Sequence, residues 1–156
     1  CSEVAIDTLT GENKVTRFDI LHAFGRSLNP AVDRGQVEGA FIQGMGWLTT
    51  EELVFDTLGR LRTHSPSTYK IPTAGDRPDA FTVTLWDRGE NTVETIHRSK
   101  AVGEPPLMLA ISVFSALTDA VASVGNHAVL PNLDAPATPE RILAAVMDVR
   151  GRAAHV

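Results

Sequence analysis

The sequence predicts an α+β fold, with strands early in the chain and helices late. Three observations carry that prediction. Val4 with Ile6 and Val15 to Leu21 read as two strands of a hairpin, and apolar and polar residues alternate from Phe81 to Trp86. Apolar residues recur at helical spacing in three later stretches, and Gly or Pro stands at most of the boundaries. The expected architecture is N-terminal hairpins and strands with a glycine-rich helix, followed by two C-terminal helices packed on the sheet.

The first hairpin pairs the strand carrying Val4 and Ile6 with the strand Val15 to Leu21. Between them Thr8-Leu-Thr-Gly-Glu-Asn supplies polar turn chemistry around Gly11. Gly25-Arg-Ser-Leu-Asn-Pro30 reads as a loop. From Asp33 to Leu48, the residues Val37, Ala40, Phe41, Met45 and Leu48 fall on one helical face. Gly35, Gly39, Gly44 and Gly46 interrupt that helix at a cost of up to ~1 kcal/mol each relative to alanine, so close packing against something is expected.

Leu53-Val-Phe55 and Arg60-Leu-Arg62 flank Asp56-Thr-Leu-Gly59 as a short hairpin. Ser65-Pro-Ser-Thr-Tyr-Lys-Ile-Pro72 is an extended loop, because its two prolines oppose both helix and ladder. Phe81 to Trp86 is the cleanest strand. After Pro106, residues Leu107, Ala110, Ile111, Phe114, Leu117 and Val121 predict one long helix, with Pro106 at its first position and Gly125 at its end. The last helix runs from Pro139 to Val149 with Thr138 as N-cap and Glu140 in its first turn. Residues 1–150 are expected to form one unit and 151–156 a frayed tail.

Composition excludes several classes of function. The chain has 156 residues, with 14 Lys and Arg against 19 Asp and Glu. Its net charge of -5 and its lack of any long basic run give no footprint for nucleic acid. Cys1 is the sole cysteine, so there is no internal disulfide and no cysteine-based metal site, which fits a reducing, cytoplasmic setting. The longest apolar stretch, Pro105 to Val113, is broken by nothing worse than Ser112 and is much shorter than a membrane span. Cys1-Ser-Glu-Val-Ala-Ile-Asp7 is already strand-like and lacks an initiator methionine, which suggests a cut end.

The five histidines at 22, 64, 97, 127 and 155 form no pair at helical ligand spacing, so no protein-ligated metal is expected. Gly44-Met-Gly46 sits inside a helical pattern and lacks the last glycine of a dinucleotide fingerprint. Ser67-Thr-Tyr-Lys70 matches the S-x-x-K of serine β-lactamases, but its companion motifs are absent and it lies in a proline-bounded loop. It reads as structural.

Glu104, in Lys100-Ala-Val-Gly-Glu-Pro-Pro-Leu-Met, is the candidate for chemistry. Two prolines follow it, which should keep Glu104 itself out of the helical region and start a helix at Pro106. Its carboxylate would then face a helix N-terminus from a stiff turn. The dipole favours the ionised form while burial in an apolar pocket would oppose it, a balance suited to a general base. The alternative is an ordinary acidic N-cap.

Three motifs extend this. Gly35-Gln-Val-Glu-Gly-Ala-Phe-Ile-Gln-Gly-Met-Gly46, Ser67-Thr-Tyr-Lys-Ile-Pro72 and Ser99-Lys-Ala-Val-Gly-Glu-Pro-Pro-Leu107, in this order, resemble the C-terminal part of the molybdenum-binding domain of the xanthine dehydrogenase family. The opening Cys1-Ser-Glu-Val and Arg26-Ser-Leu-Asn-Pro-Ala-Val-Asp33 resemble it too. The resemblance runs from Cys1 to about Val149. It implies that Glu104 is the catalytic base of an oxidative hydroxylation of hypoxanthine or xanthine, with oxygen from water. It also implies that Gln36 hydrogen-bonds a molybdenum-molybdopterin cofactor, work suited to a neutral amide.

The same resemblance implies that 2Fe-2S and FAD groups lie on other domains or subunits, and that the remainder of the molybdenum-binding domain is the partner of this chain. Alone, the chain is then expected to bind little cofactor and to be inactive, with self-association through its exposed apolar face. Aldehyde oxidases and carbon monoxide dehydrogenases share Gly-Glu-Pro-Pro, and a noncatalytic assembly module is the reading from another class. Retention of Gln36 and Glu104 favours the enzyme.

Overall fold

The computed structural model describes residues 1–155. Two antiparallel strands, β1 (Ser2–Ile6) and β2 (Asn13–His22), form the expected hairpin, and β3 (Ala80–Leu85) adds to the free edge of β2. That addition is parallel, with Arg17 opposite Ala80 and His22 opposite Leu85. The hairpin contains a bulge: Glu3 pairs with Arg17 and Val4 with Val15, which leaves Thr16 without an opposite number. The extra residue lets Val15 and Phe18 both face inward although an odd step separates them.

Helix α1 (Pro30–Thr49) lies across the sheet. Its start is earlier than the apolar spacing suggests, because Asn29 accepts a hydrogen bond from the Val32 amide and Pro30 occupies the first turn. Phe41 stacks on Phe18 at 3.3 Å between ring centroids, with Phe81 of β3 5.5 Å from Phe41. Arg34 donates to the Val83 carbonyl at 2.7 Å and ties the helix to β3.

The long helix expected after Pro106 is divided. Pro105–Ala110 is a 3-10 turn and α2 is Ile111–Ser123. Together they have a mean hydropathy of 1.6, enough for a membrane span by length and composition. Here the apolar face, with Val113, Leu117 and Val121 fully buried, is the core of the unit. Ser2 and Ser112 hydroxyls meet at 2.6 Å where α2 crosses β1.

Helix α3 (Pro139–Ala153) packs on α2 and reaches the sheet chiefly through it. Thr138 caps it, accepting from the Arg141 amide as its position predicts. Arg141 also donates to Glu52 at 2.6 Å, and the Ala137 amide to the Leu48 carbonyl at 2.7 Å, which joins the start of α3 to the end of α1. The helix continues past Val149 through Gly151 to Ala153, so the segment expected to be frayed is helical that far; Val156 lies outside the described residues.

The second hairpin shrinks to a turn. Phe55 and Leu61 form a single antiparallel bridge, and Asp56 accepts from the amides of Leu58 and Arg60, both at 2.9 Å. In the loop 65–72, Lys70 donates to the Ser67 backbone carbonyl at 2.7 Å while the Ser67 hydroxyl meets that of Ser65. A lysine so engaged does not activate the Ser67 hydroxyl, and the segment is a structural loop.

Candidate functional site

The segment that carries Glu104 is held from both sides. Upstream, Gly25 and Ser99 form an isolated bridge, the Arg26 amide donates to the Arg98 carbonyl at 3.1 Å, and the Lys100 amide donates to Phe24 at 2.7 Å. The approach is so close that a Cβ on Gly25 would overlap the Arg98 carbonyl oxygen. Gly25 also has a φ of +75°, a region that L side chains avoid.

Downstream, Gly44 of α1 packs on the 3-10 turn. A Cβ there would overlap the Leu107 carbonyl oxygen and stand 2.8 Å from the Cβ of Ala110. Pro106 is buried in the same contact region. The close packing expected of the helix glycines is therefore real at Gly44, and at Gly46, whose missing Cβ makes room for Pro72. Gly35 and Gly39 differ: both face open space.

Between the two clamps Glu104 is exposed, not enclosed in an apolar pocket of this chain. Its backbone is helical, φ -108° and ψ -36°, despite the proline that follows. The 3-10 turn starts one residue earlier than expected, and the Glu104 carbonyl accepts from the Leu107 amide at 3.0 Å. That bond and the Gly44 contact outweigh the local pre-proline preference. The side chain makes no capping hydrogen bond. Glu104 thus occupies the N-cap position of the turn with its carboxylate unengaged by the turn's amides.

The carboxylate borders a cleft of about 800 Å³ lined by Ala40, Gln43 and Trp47 of α1 and by Ala101, Gly103, Pro105, Leu107 and Met108 of the clamped segment. Gln36 is exposed on α1 but does not line this cleft. It precedes Ala40 by one helical turn on the same stripe, since positions 36, 40, 43 and 47 follow one another at helical spacing. Gln43 lies inside the first quoted motif, yet sequence reasoning passed over it. The signal was that same spacing, which carries a second glutamine along the face of Gln36.

Among the described residues no group of three or more His, Cys, Asp or Glu is placed to hold a metal ion. The exposed face of α1 instead offers neutral carboxamides beside two glycines with open Cβ positions. Large apolar side chains near it are also uncovered, with Trp47 51% and Met108 59% exposed.

Residues 1–78 match the molybdopterin cofactor-binding domain family. Along its length the chain is 53% identical over 153 residues to xanthine dehydrogenase/oxidase of Rattus norvegicus, covering 95% of this chain and 11% of the relative. It is 48% identical over 151 residues to aldehyde oxidase 2 of Macaca fascicularis, again covering 95% of this chain and 11% of that protein. Among solved structures, quinoline 2-oxidoreductase from Pseudomonas putida 86 superposes with a TM-score of 0.81 at 29% identity, over 93% of this chain and 18% of that one. The chain thus spans about a tenth of the length of the curated relatives it matches. With family match, whole-chain identity and fold in agreement, the chain belongs to the molybdopterin cofactor-binding domain family and corresponds to part of the molybdenum-binding region that xanthine dehydrogenases and aldehyde oxidases share.

Proposed function

We propose that this chain supplies the general base of a molybdenum-dependent hydroxylation, and that Glu104 is that base. The observation that carries the reading is a carboxylate that makes no capping hydrogen bond, held by clamped backbone at the border of a cleft whose other lining side chains, Gln43 and Trp47 apart, are apolar. Such a group is kept in place by its chain and left free for a substrate.

The residues fit a flat pterin cofactor. Gln36 stands between Gly35 and Gly39, where the absent side chains let a planar group approach α1, and Gly103 beside Glu104 is likewise open. Gln36 would hold the cofactor through its carboxamide, a donor and acceptor without charge. When bound, the molybdenum-pterin group accepts the two electrons that leave the substrate.

Overall, a C–H bond of the substrate becomes C–OH, water provides the oxygen, and two protons and two electrons are released. Glu104 accepts one of those protons as the oxygen nucleophile forms its bond to carbon. Trp47, Leu107 and Met108 shield that carboxylate from bulk water once the remainder of the molybdenum-binding domain covers the cleft. This remainder, and the iron-sulfur and flavin units that pass the electrons on, are the partners in the reading, and a cytoplasmic setting belongs to it. The chain alone then turns nothing over.

The substrate class is an electron-poor purine, hypoxanthine or xanthine, supported by the 53% identity to a xanthine dehydrogenase/oxidase. An aldehyde is the second reading, supported by the 48% identity to an aldehyde oxidase. Turnover of xanthine against an aromatic aldehyde by the complete enzyme separates the two. For the base, Glu104→Gln in the complete enzyme should abolish turnover and leave molybdenum content intact. Near-normal turnover would sink the assignment.

A further inference from the structure

The geometry points to Gln43 as a second ligand-binding residue of the Glu104 cleft, one that pairs with the amide-like edge of a flat nitrogen heterocycle. The inference rests on the proposed hydroxylase reading and goes beyond it. Glu104 and Gln43 are the side chains of the lining that carry acceptors, Trp47 adds an indole N–H, and the rest is Ala40, Ala101, Gly103, Pro105, Leu107 and Met108. An apolar slot with a few placed polar groups is the usual form of a small-molecule site, in which those groups set orientation.

Gln43 and Glu104 are also joined mechanically. The Leu107 amide donates to the Glu104 carbonyl at 3.0 Å, and the Leu107 carbonyl oxygen packs against Gly44, the residue after Gln43. One residue of the 3-10 turn therefore contacts both stretches of backbone that carry these side chains. The exposed carboxamide borders the cleft from a helix, while Glu104 borders it from the clamped segment. A carboxamide presents an N–H donor beside a C=O acceptor. Its complement is a ring edge with the same pair reversed, the C(=O)–N–H of a pyrimidinone.

Two ligands share that edge, a purine substrate and a pterin. Both are fused nitrogen heterocycles, and the cleft would accept either as a flat ring. The experiment distinguishes them. In the complete molybdenum hydroxylase carrying this segment, Gln43→Leu removes donor and acceptor at an exposed position and should leave the unfolding midpoint unchanged. Two equilibrium quantities are measured besides turnover: molybdenum and pterin per protomer, and the dissociation constant for xanthine by equilibrium dialysis in the Glu104→Gln background.

If Gln43 holds the substrate, xanthine binds about tenfold more weakly in Gln43→Leu at full cofactor content, as expected for one lost hydrogen bond. If it holds the pterin, cofactor content falls severalfold and the sites that remain filled bind xanthine as before. Gln43→Glu, which keeps the shape and removes the donor, reproduces the loss. Cofactor content and xanthine binding both within about twofold of the parent would overturn the inference. Since neither quantity needs turnover, that result stands apart from failure of the base, which is read from Glu104→Gln alone.

Discussion

Gly44 lies so close to Leu107 that any side chain at position 44 would overlap the Leu107 carbonyl oxygen. This contact, between the middle of α1 and a 3-10 turn far along the chain, is what brings the Glu104 segment against the helix face. It also makes the helix glycines unequal.

Gly44→Ala should therefore destabilise the chain by about 1–3 kcal/mol, the usual range for forced overpacking. Gly39→Ala should act in the opposite sense, stabilising the isolated chain by up to ~1 kcal/mol, because its Cβ position is open and alanine favours helix. Urea denaturation of the two variants measures both. Equal effects would mean that the contact at Gly44 does not constrain the fold.

Gly25→Ala tests the upstream clamp. The positive φ and the nearby Arg98 carbonyl both oppose a side chain, and a strained backbone of this kind costs of order 1–3 kcal/mol. The expected local signature is faster hydrogen exchange at the Lys100 amide, which donates to Phe24 across the clamp. Unchanged protection at Lys100 would separate Gly25 from the placement of Glu104.

Phe41 is fully buried and stacks on Phe18 at the centre of the core. Truncation in Phe41→Ala should cost about 3–5 kcal/mol, and Phe41→Leu less, since leucine leaves the smaller cavity. The denaturation midpoints of the two variants give the order.

His22 predicts a pH dependence. Burial holds its imidazole below the usual value of 6.5, and its Nε2 is buried without a hydrogen-bond partner among the described residues. The unfolded chain therefore binds the proton more readily than the folded chain, so stability rises with pH across this titration. Its contribution is fully present above pH 6.5 and is lost as pH falls through that value toward the folded-state pKa. Denaturation midpoints between pH 7.5 and 5 should show a decline that His22→Phe reduces.

Much of this was legible in the residues. The β1–β2 hairpin, α1, the strand β3 and the Thr138-capped α3 follow from periodicity and capping, because those signals are local. The parallel pairing of β2 with β3 was not legible. Alternation reports which face of a strand is buried and says nothing of the direction of its neighbour. The break between Pro105–Ala110 and α2 was equally hidden. The helical spacing continues across it, and the close approach of Gly44 comes from another part of the chain.

By itself the sequence determined the kinds and order of the elements, and its motifs pointed to the family and to Glu104 and Gln36 as candidates, since propensity, periodicity and motif identity all reside in contiguous residues. Only the tertiary structure decided that Glu104 borders a cleft with Gln43 and that Gln36 lies one turn outside its lining. It decided this through Gly25 against Arg98 and Gly44 against Leu107, two close approaches between segments remote in sequence. Such contacts depend on backbone shape across the whole fold, which no local pattern of residues encodes.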